Sequence, residues 1–165
     1  MANRRPPRLV PECYRGSGRY FLTICTADRQ EFFTSSECVE QATFDLLRTL
    51  TDYRFDGIAY CFMPDHFHGL LEATGPDCDF AKFACMFKQR TVFAHKRRTG
   101  RKLWQDGYFD RVLRREEATL DVVAYILENP VRAGLCTDPR QYPFVGSSVY
   151  TVDELFESVS GRKRP

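Results

Sequence analysis

Two histidines one residue apart, His66 and His68 in the run MPDHFH, have the types and spacing that point most directly to chemistry. On a strand, alternate side chains share a face, so both imidazoles point one way and Phe67 the other. Positions two apart stand about 6.5–7 Å from each other along a strand, and imidazoles at that spacing can hold one divalent ion from one side. A bare H-x-H fits two hydrogen-bonded or solvated rings on an edge strand as well. These are, however, two of only three histidines in the chain, and they directly follow a Pro64-Asp65 turn, which favours a metal site.

A second pair lies in the run DVVAYILEN, residues 121–129. At helical spacing, Leu120, Val123, Ala124 and Leu127 form one apolar stripe. Tyr125 and Asn129, at i and i+4, neighbour each other roughly opposite it. A helix with its stripe on the core could thus offer a phenol and an amide oxygen to a second surface. Equally, the pair fits a half-buried aromatic and a helix-end residue before Pro130. The third constellation is basic. Lys88, Arg90, Lys96, Arg97, Arg98, Arg101, Lys102, Arg114 and Arg115 surround Trp104, Tyr108 and Phe109, mixing phosphate-binding charge with planes on which bases can stack. A solvated, charged helix end has the same composition. His95, within this segment, reads as a phosphate or solvent contact.

The elements that must position these groups follow from periodicity. Arg19 to Thr26, dense in β-branched and aromatic residues, reads as a first strand. Ser36 is a candidate cap for a helix bearing Val39, Ala42, Leu46, Leu47 and Leu50 at helical spacing. Phe55–Met63 and His66–Ala73 read as a hairpin across the Pro64-Asp65 turn. Asp79 caps a second helix, whose end carries Lys96-Arg97-Arg98 where the helix dipole favours positive charge, and Gly100 stops it. A fourth strand with an irregular lead-in spans 103–113, and a third helix runs from Glu116 to Asn129. The remainder reads as mostly loop. The order β-α-β-β-α-β-α predicts an α+β, ferredoxin-like (RRM-like) antiparallel sheet with an added C-terminal helix that carries Tyr125. One domain over 18–150 is expected, with a basic arm at 1–17 and a tail at 151–165.

Composition bounds the reading without deciding it. The chain has 165 residues, 43% of them apolar and 28% charged, which makes disorder and fibrous repeats poor readings. Its net charge of +2 hides an asymmetry: residues 82–115 hold eleven bases and two acids, or +9, and the other 131 residues sum to −7. That split predicts a basic groove beside the histidines. Arg4, Arg5 and Arg8, and Arg162-Lys163-Arg164, add candidate phosphate contacts. The seven cysteines include no CxxC pair and read as reduced, structural thiols. The start, MANRRPPRLVPE, lacks the apolar run of a signal peptide, and no stretch approaches the roughly 20 apolar residues that span a bilayer. A cytoplasmic protein without membrane contacts is expected.

Taken together these motifs resemble a known family. MPDHFHGLLE is similar to the MPNHxHxL signature of the single-tyrosine His-hydrophobic-His (HUH) transposases. The runs YFLTICT (20–26), LWQDGYFD (103–110) and YILENPVRAGL (125–135), with Tyr142-Pro143 and Ser147-Ser148 behind them, narrow the resemblance to the REP-associated tyrosine transposases. It covers about residues 14–150. Asp65 stands where that family usually has Asn, and Cys136 where it usually has Val; neither is expected to touch a ligand or the nucleophile.

The resemblance implies DNA transposition chemistry: metal-dependent nicking and strand transfer on single-stranded or hairpin DNA. Tyr125 would be the nucleophile, forming a 5′-phosphotyrosine link. His66, His68 and Asn129 would hold Mg²⁺ or Mn²⁺, and Lys88 and the 96–102 cluster would hold the DNA backbone. Relatives include both dimers and monomers, so a homodimer is open. The alternative is a non-catalytic single-strand nucleic-acid-binding domain on the same fold, which leaves His66, His68 and Asn129 without a purpose. A plain Zn²⁺ or Cu²⁺ protein is disfavoured, because no third His or Cys lies at ligand spacing.

Overall fold

A computed structural model describes residues 15–113 and 116–161. The N-terminal arginines, Arg114, Arg115 and Arg162-Lys163-Arg164 lie outside the described residues.

Strand β1 (Arg19–Cys25) alternates buried and half-buried side chains along its whole length. Its apolar set, Tyr20, Leu22 and Ile24, points into one layer, while Phe21 and Thr23 point into the other. Helix α1 (Ser36–Tyr53) is capped by Ser35, one residue before the expected position, whose hydroxyl accepts from the Cys38 amide at 3.4 Å. Strands β2 (Phe55–Met63) and β3 (His66–Ala73) form the expected hairpin. Asp79 caps α2 (Phe80–Thr99), and Gly100, at φ +69°, ends it in the left-handed region that glycine adopts without steric penalty. The fourth strand is shorter than its lead-in suggested. Only β4 (Phe109–Leu113) pairs with β1, and Trp104 makes an isolated bridge to Thr26.

Helix α3 (Glu116–Arg132) runs through Pro130, three residues beyond the expected end. What stops it is the following Ala133-Gly134-Leu135. Gly134 takes φ +74°, its amide bonds the Val131 carbonyl, and the Leu135 amide bonds the Pro130 carbonyl, each at 2.9 Å. Those two bonds on a left-handed glycine are a Schellman cap.

The stretch read as a tail also differs. After a two-residue strand β5 (Val145–Gly146), helix α4 (Val152–Val159) is closed at its start by a Thr151/Glu154 capping box. Its Leu155 and Phe156 are buried against α3, which an eight-residue segment with only four apolar side chains did not announce.

The sheet order is β4-β1-β3-β2-β5 with every neighbour antiparallel, so the α+β, ferredoxin-like expectation holds and β5 adds one edge. Two cores flank it. Helices α1 and α2 cover one face through Leu46, Leu50, Phe80, Phe83 and Phe87, packed on Tyr20, Leu22, Ile24, Phe62 and Phe67. Helices α3 and α4 cover the other through Val123, Ile126, Leu127 and Leu155, packed on Ala59, Cys61, Met63 and Leu70. Because Phe67 belongs to the first face, His66 and His68 belong to the second, under α3. No helix among the described residues is long and apolar enough to cross a membrane.

Candidate active site

Strand alternation and helix periodicity bring the two sequence pairs together. The rings of His66 and His68 lie 4.6 Å apart between centroids, nearly perpendicular. Asn129, buried one turn beyond Tyr125, places its side-chain nitrogen 3.2 Å from His68 Nε2. With that amide donating to Nε2, the ring proton of His68 sits on Nδ1 and donates to Thr23 Oγ1 at 2.8 Å. Thr23 is the direct cross-strand partner of His68 in the β1–β3 register.

Tyr125 is 37% exposed and meets His68 edge-on, with centroids 5.4 Å apart. Phe21 supports both rings, stacked on His68 at 5.6 Å and edge-on to Tyr125 at 5.8 Å. The guanidinium of Arg132, which also pairs with Glu128 at 3.2 Å, lies 5.6 Å from the Tyr125 ring centre. The phenol therefore has its ring held on three sides and access to solvent.

Asp65 overturns one expectation. Its carboxylate binds His66 Nδ1 and, through the other oxygen, Arg29 Nε at 3.0 Å, so this departure from the family pattern does touch a candidate ligand. Thr23, Phe21, Arg29 and Arg132 carried no chemical signal in the sequence. Strand register could have nominated Thr23, since it sits across from His68.

Burial, with the neighbouring charges of His66 and Arg29 adding, lowers the His68 pKa from its ordinary 6.5 to about 3. An unfolded histidine takes its proton near pH 6.5, and this one resists protonation in the fold. The resulting penalty on the folded state is absent above pH 6.5 and grows as pH falls toward 3. Thermal melts in EDTA should show the apoprotein losing stability across that window, and His68→Gln losing less.

The basic residues fall elsewhere. Helix α2 packs on the opposite face of the sheet, so the expected basic groove beside the histidines is not formed by it. Lys88 Nζ donates to the carbonyls of Gln105 and Gly107 at 2.9 and 2.8 Å, pinning the lead-in to β4. Arg90 binds Thr49 and Asp52 on α1. Arg98 reaches Glu37 and Cys38, and Lys102 pairs with Asp106. Lys96, Arg97 and Arg101 are exposed, with Arg97 set over the Phe93 ring. Trp104 is no stacking platform: it is 2% exposed, its Nε1 donates to Thr91 Oγ1 at 2.7 Å, and Phe33 and Phe87 pack against it. His95 is buried against Phe32 rather than turned to phosphate or solvent.

The fold and site define a ferredoxin-like α+β protein that gathers two histidines, an asparagine and a half-exposed tyrosine between a central strand and the helix behind it. Residues 16–129 match the family of IS200-like transposases, and the chain belongs to that family. It is 25% identical over 138 residues to a Haemophilus influenzae protein named as a REP-associated tyrosine transposase, covering 77% of this chain and 78% of that one. An uncharacterised protein of the same organism is 25% identical over 162 residues, covering 78% and 89%. Among solved structures, a REP-associated tyrosine transposase bound to a REP hairpin superposes with a TM-score of 0.73 at 21% identity, over 86% of this chain and 81% of that one. A Deinococcus radiodurans R1 protein described as a transposase gives a TM-score of 0.53, also at 21% identity, over 78% and 97%.

Proposed function

We propose that this transposase-family protein nicks and rejoins single-stranded DNA beside a hairpin, with Tyr125 as nucleophile and a divalent metal ion as cofactor. The observation that carries the reading is the convergence of Tyr125, His68, His66 and Asn129 on one face of the sheet.

The residues fit a metal. His68 is kept neutral by burial, and among the described residues its Nε2 is met only by the Asn129 amide. With that amide turned to offer its oxygen, two imidazoles and one amide oxygen would form a mixed nitrogen–oxygen donor set for a divalent ion such as Mn²⁺ or Mg²⁺. His66, His68 and Asn129 would hold the ion, which when bound supplies Lewis-acid stabilisation of charge on the phosphoryl oxygens.

Tyr125 does the bond-making. Its phenol oxygen bonds to phosphorus, the P–O3′ bond breaks, and the departing strand takes a proton as its 3′-OH forms. The phenolic proton leaves to solvent, to which the ring is open. The phosphotyrosine conserves the bond for reverse attack by another 3′-OH, which suits strand transfer. A free phenol is only about one-thousandth ionised at pH 7, so attack depends on neighbouring positive charge. Among the described residues Arg132, which also pairs with Glu128, is the cation over the ring. Exposed Lys96, Arg97 and Arg101, across the sheet, are placed for phosphates distant from the cleaved bond.

The test is incubation of the full chain with hairpin oligonucleotides bearing single-stranded flanks, in Mn²⁺ or Mg²⁺. An SDS-resistant adduct to the 5′-phosphate end of the fragment downstream of the cut is expected, and EDTA should abolish it. Retention of the oligonucleotide without adduct or cleavage, insensitive to EDTA, would leave a nucleic-acid-binding protein only.

A further inference from the structure

We propose that Arg29 and Asp65 form a positioning pair that holds His66 in the tautomer with its proton on Nδ1, so that Nε2 is the nitrogen offered to the metal; the inference rests on the metal-dependent reading above. The two histidines are oriented differently. His68 is buried and set by two neutral partners, Thr23 on Nδ1 and Asn129 on Nε2. His66 is more open, and among the described residues its hydrogen-bond partner is the carboxylate of the residue before it. A carboxylate can only accept, so the ring must donate from Nδ1, which leaves the Nε2 lone pair for a ligand. The same partner makes the imidazole a stronger metal donor than a hydroxyl partner would.

A carboxylate on a tight turn could swing away or coordinate the ion itself. Here it is restrained from every side. The Asp65 carbonyl accepts from the Thr26 amide at 2.9 Å, and the Thr26 hydroxyl is shared between that carbonyl at 2.9 Å and the Gln30 carbonyl at 2.7 Å. The Pro64 carbonyl accepts from the amides of Phe32 and Phe33 at 2.9 and 3.0 Å. Arg29 Nε then occupies the second carboxylate oxygen at 3.0 Å.

Arg29 is itself delivered by unusual backbone. Asp28 and Arg29 are consecutive non-glycine residues at φ +53° and +56°, in the left-handed region that such residues seldom occupy. Strained backbone persists where the surroundings over-determine it, and it gathers at functional sites. The guanidinium is tied at its other end to Cys25 Sγ at 2.8 Å, and Cys25 is the cross-strand partner of His66. The turn after β1, the turn before β3 and the ligand thus form one connected unit: Cys25, Arg29, Asp65, His66.

The experiment measures Mn²⁺ affinity by EPR titration of the full chain, with ¹⁵N NMR of the His66 ring in EDTA as a second readout. Asp65→Ala should weaken Mn²⁺ binding about 10–100-fold, the usual range for removing the outer partner of a ligating histidine. It should also move the His66 proton off Nδ1. Asp65→Asn keeps an oxygen acceptor for Nδ1–H and should restore most of the affinity and the tautomer, while Arg29→Ala should cause a smaller loss than Asp65→Ala. Melts in EDTA identify any variant that is merely misfolded, and the NMR signature of Asp65→Asn then decides. Wild-type affinity in Asp65→Ala overturns the positioning role alone. An Asp65→Asn that loses as much affinity as Asp65→Ala with His66 unmoved makes Asp65 a ligand and also overturns it. A wild-type chain that takes up no Mn²⁺ overturns the metal reading together with this one.

Discussion

Tyr125→Phe is expected to abolish the covalent protein–DNA adduct while leaving affinity for the same hairpin oligonucleotide within about twofold. The substitution removes one oxygen and keeps the ring, so the edge contacts to His68 and Phe21 and the Arg132 guanidinium over its face all survive. Loss of a single surface hydroxyl changes stability or binding by no more than about 0.5 kcal/mol. Loss of the nucleophile of a covalent mechanism typically lowers the rate by at least about 10³-fold, because nothing else in the site can form the bond. A denaturing gel reports the adduct, and a gel shift on the same sample reports binding. The nearest rival is Tyr150, which is 50% exposed but lines a cavity of about 600 Å³ with Arg19 and Glu72, away from the histidines. An SDS-resistant adduct with the Phe variant would move the nucleophile and sink the assignment.

What could be read of this site from the chain alone follows from which geometry is local. His66 and His68 share a face because strands alternate, and Tyr125 and Asn129 neighbour because helices repeat every 3.6 residues. Those facts need no partner strand. Thr23 needed the β1–β3 register, and Arg29 needed two left-handed residues that no glycine advertises. For Asp65, sequence adjacency to His66 does not say whether a turn residue folds its carboxylate back on the ring. It does, because Arg29 and Thr26 hold it there.

The misplaced basic groove has a similar cause. Right-handed crossovers put α1 and α2 of a split βαβ pair on one face, which leaves the other face for α3. The face taken by His66 and His68 then turns on single-residue parity in β3: Phe67 joins the α1/α2 core and the histidines go the other way. Clustering charge along the chain said nothing of that parity. Lys88 and Arg90 show the further limit, since a cation bound to main-chain carbonyls or to Asp52 has the same composition as one waiting for phosphate.

Trp104→Ala should lower stability by about 3–5 kcal/mol, the usual range for emptying a buried aromatic site. An aromatic beside Arg101 and Lys102 reads as a stacking plane for a base, and the two roles make opposite predictions. Stacking is worth about 1–3 kcal/mol of binding per base and leaves folding untouched. Burial puts the whole effect on folding. The indole fills the space between Phe33 and Phe87, and its backbone bridges Thr26 at the end of β1. Its N–H satisfies Thr91 Oγ1, whose own proton goes to the Phe87 carbonyl at 2.9 Å. Truncation therefore leaves a cavity and also removes a hydrogen bond in the layer under α2. For a domain of this size each kcal/mol moves Tm by about 2–4 °C, so a drop on the order of 10 °C is expected in a thermal melt. Trp104→Phe refills most of the volume and should cost about 1–2 kcal/mol, chiefly the lost N–H. DNA affinity, measured at a temperature where each variant is folded, should follow the wild type in both. If Trp104→Ala melts with the wild type and weakens only DNA binding, the indole spends its working life outside the core and the packing of α2 on the sheet must be redrawn.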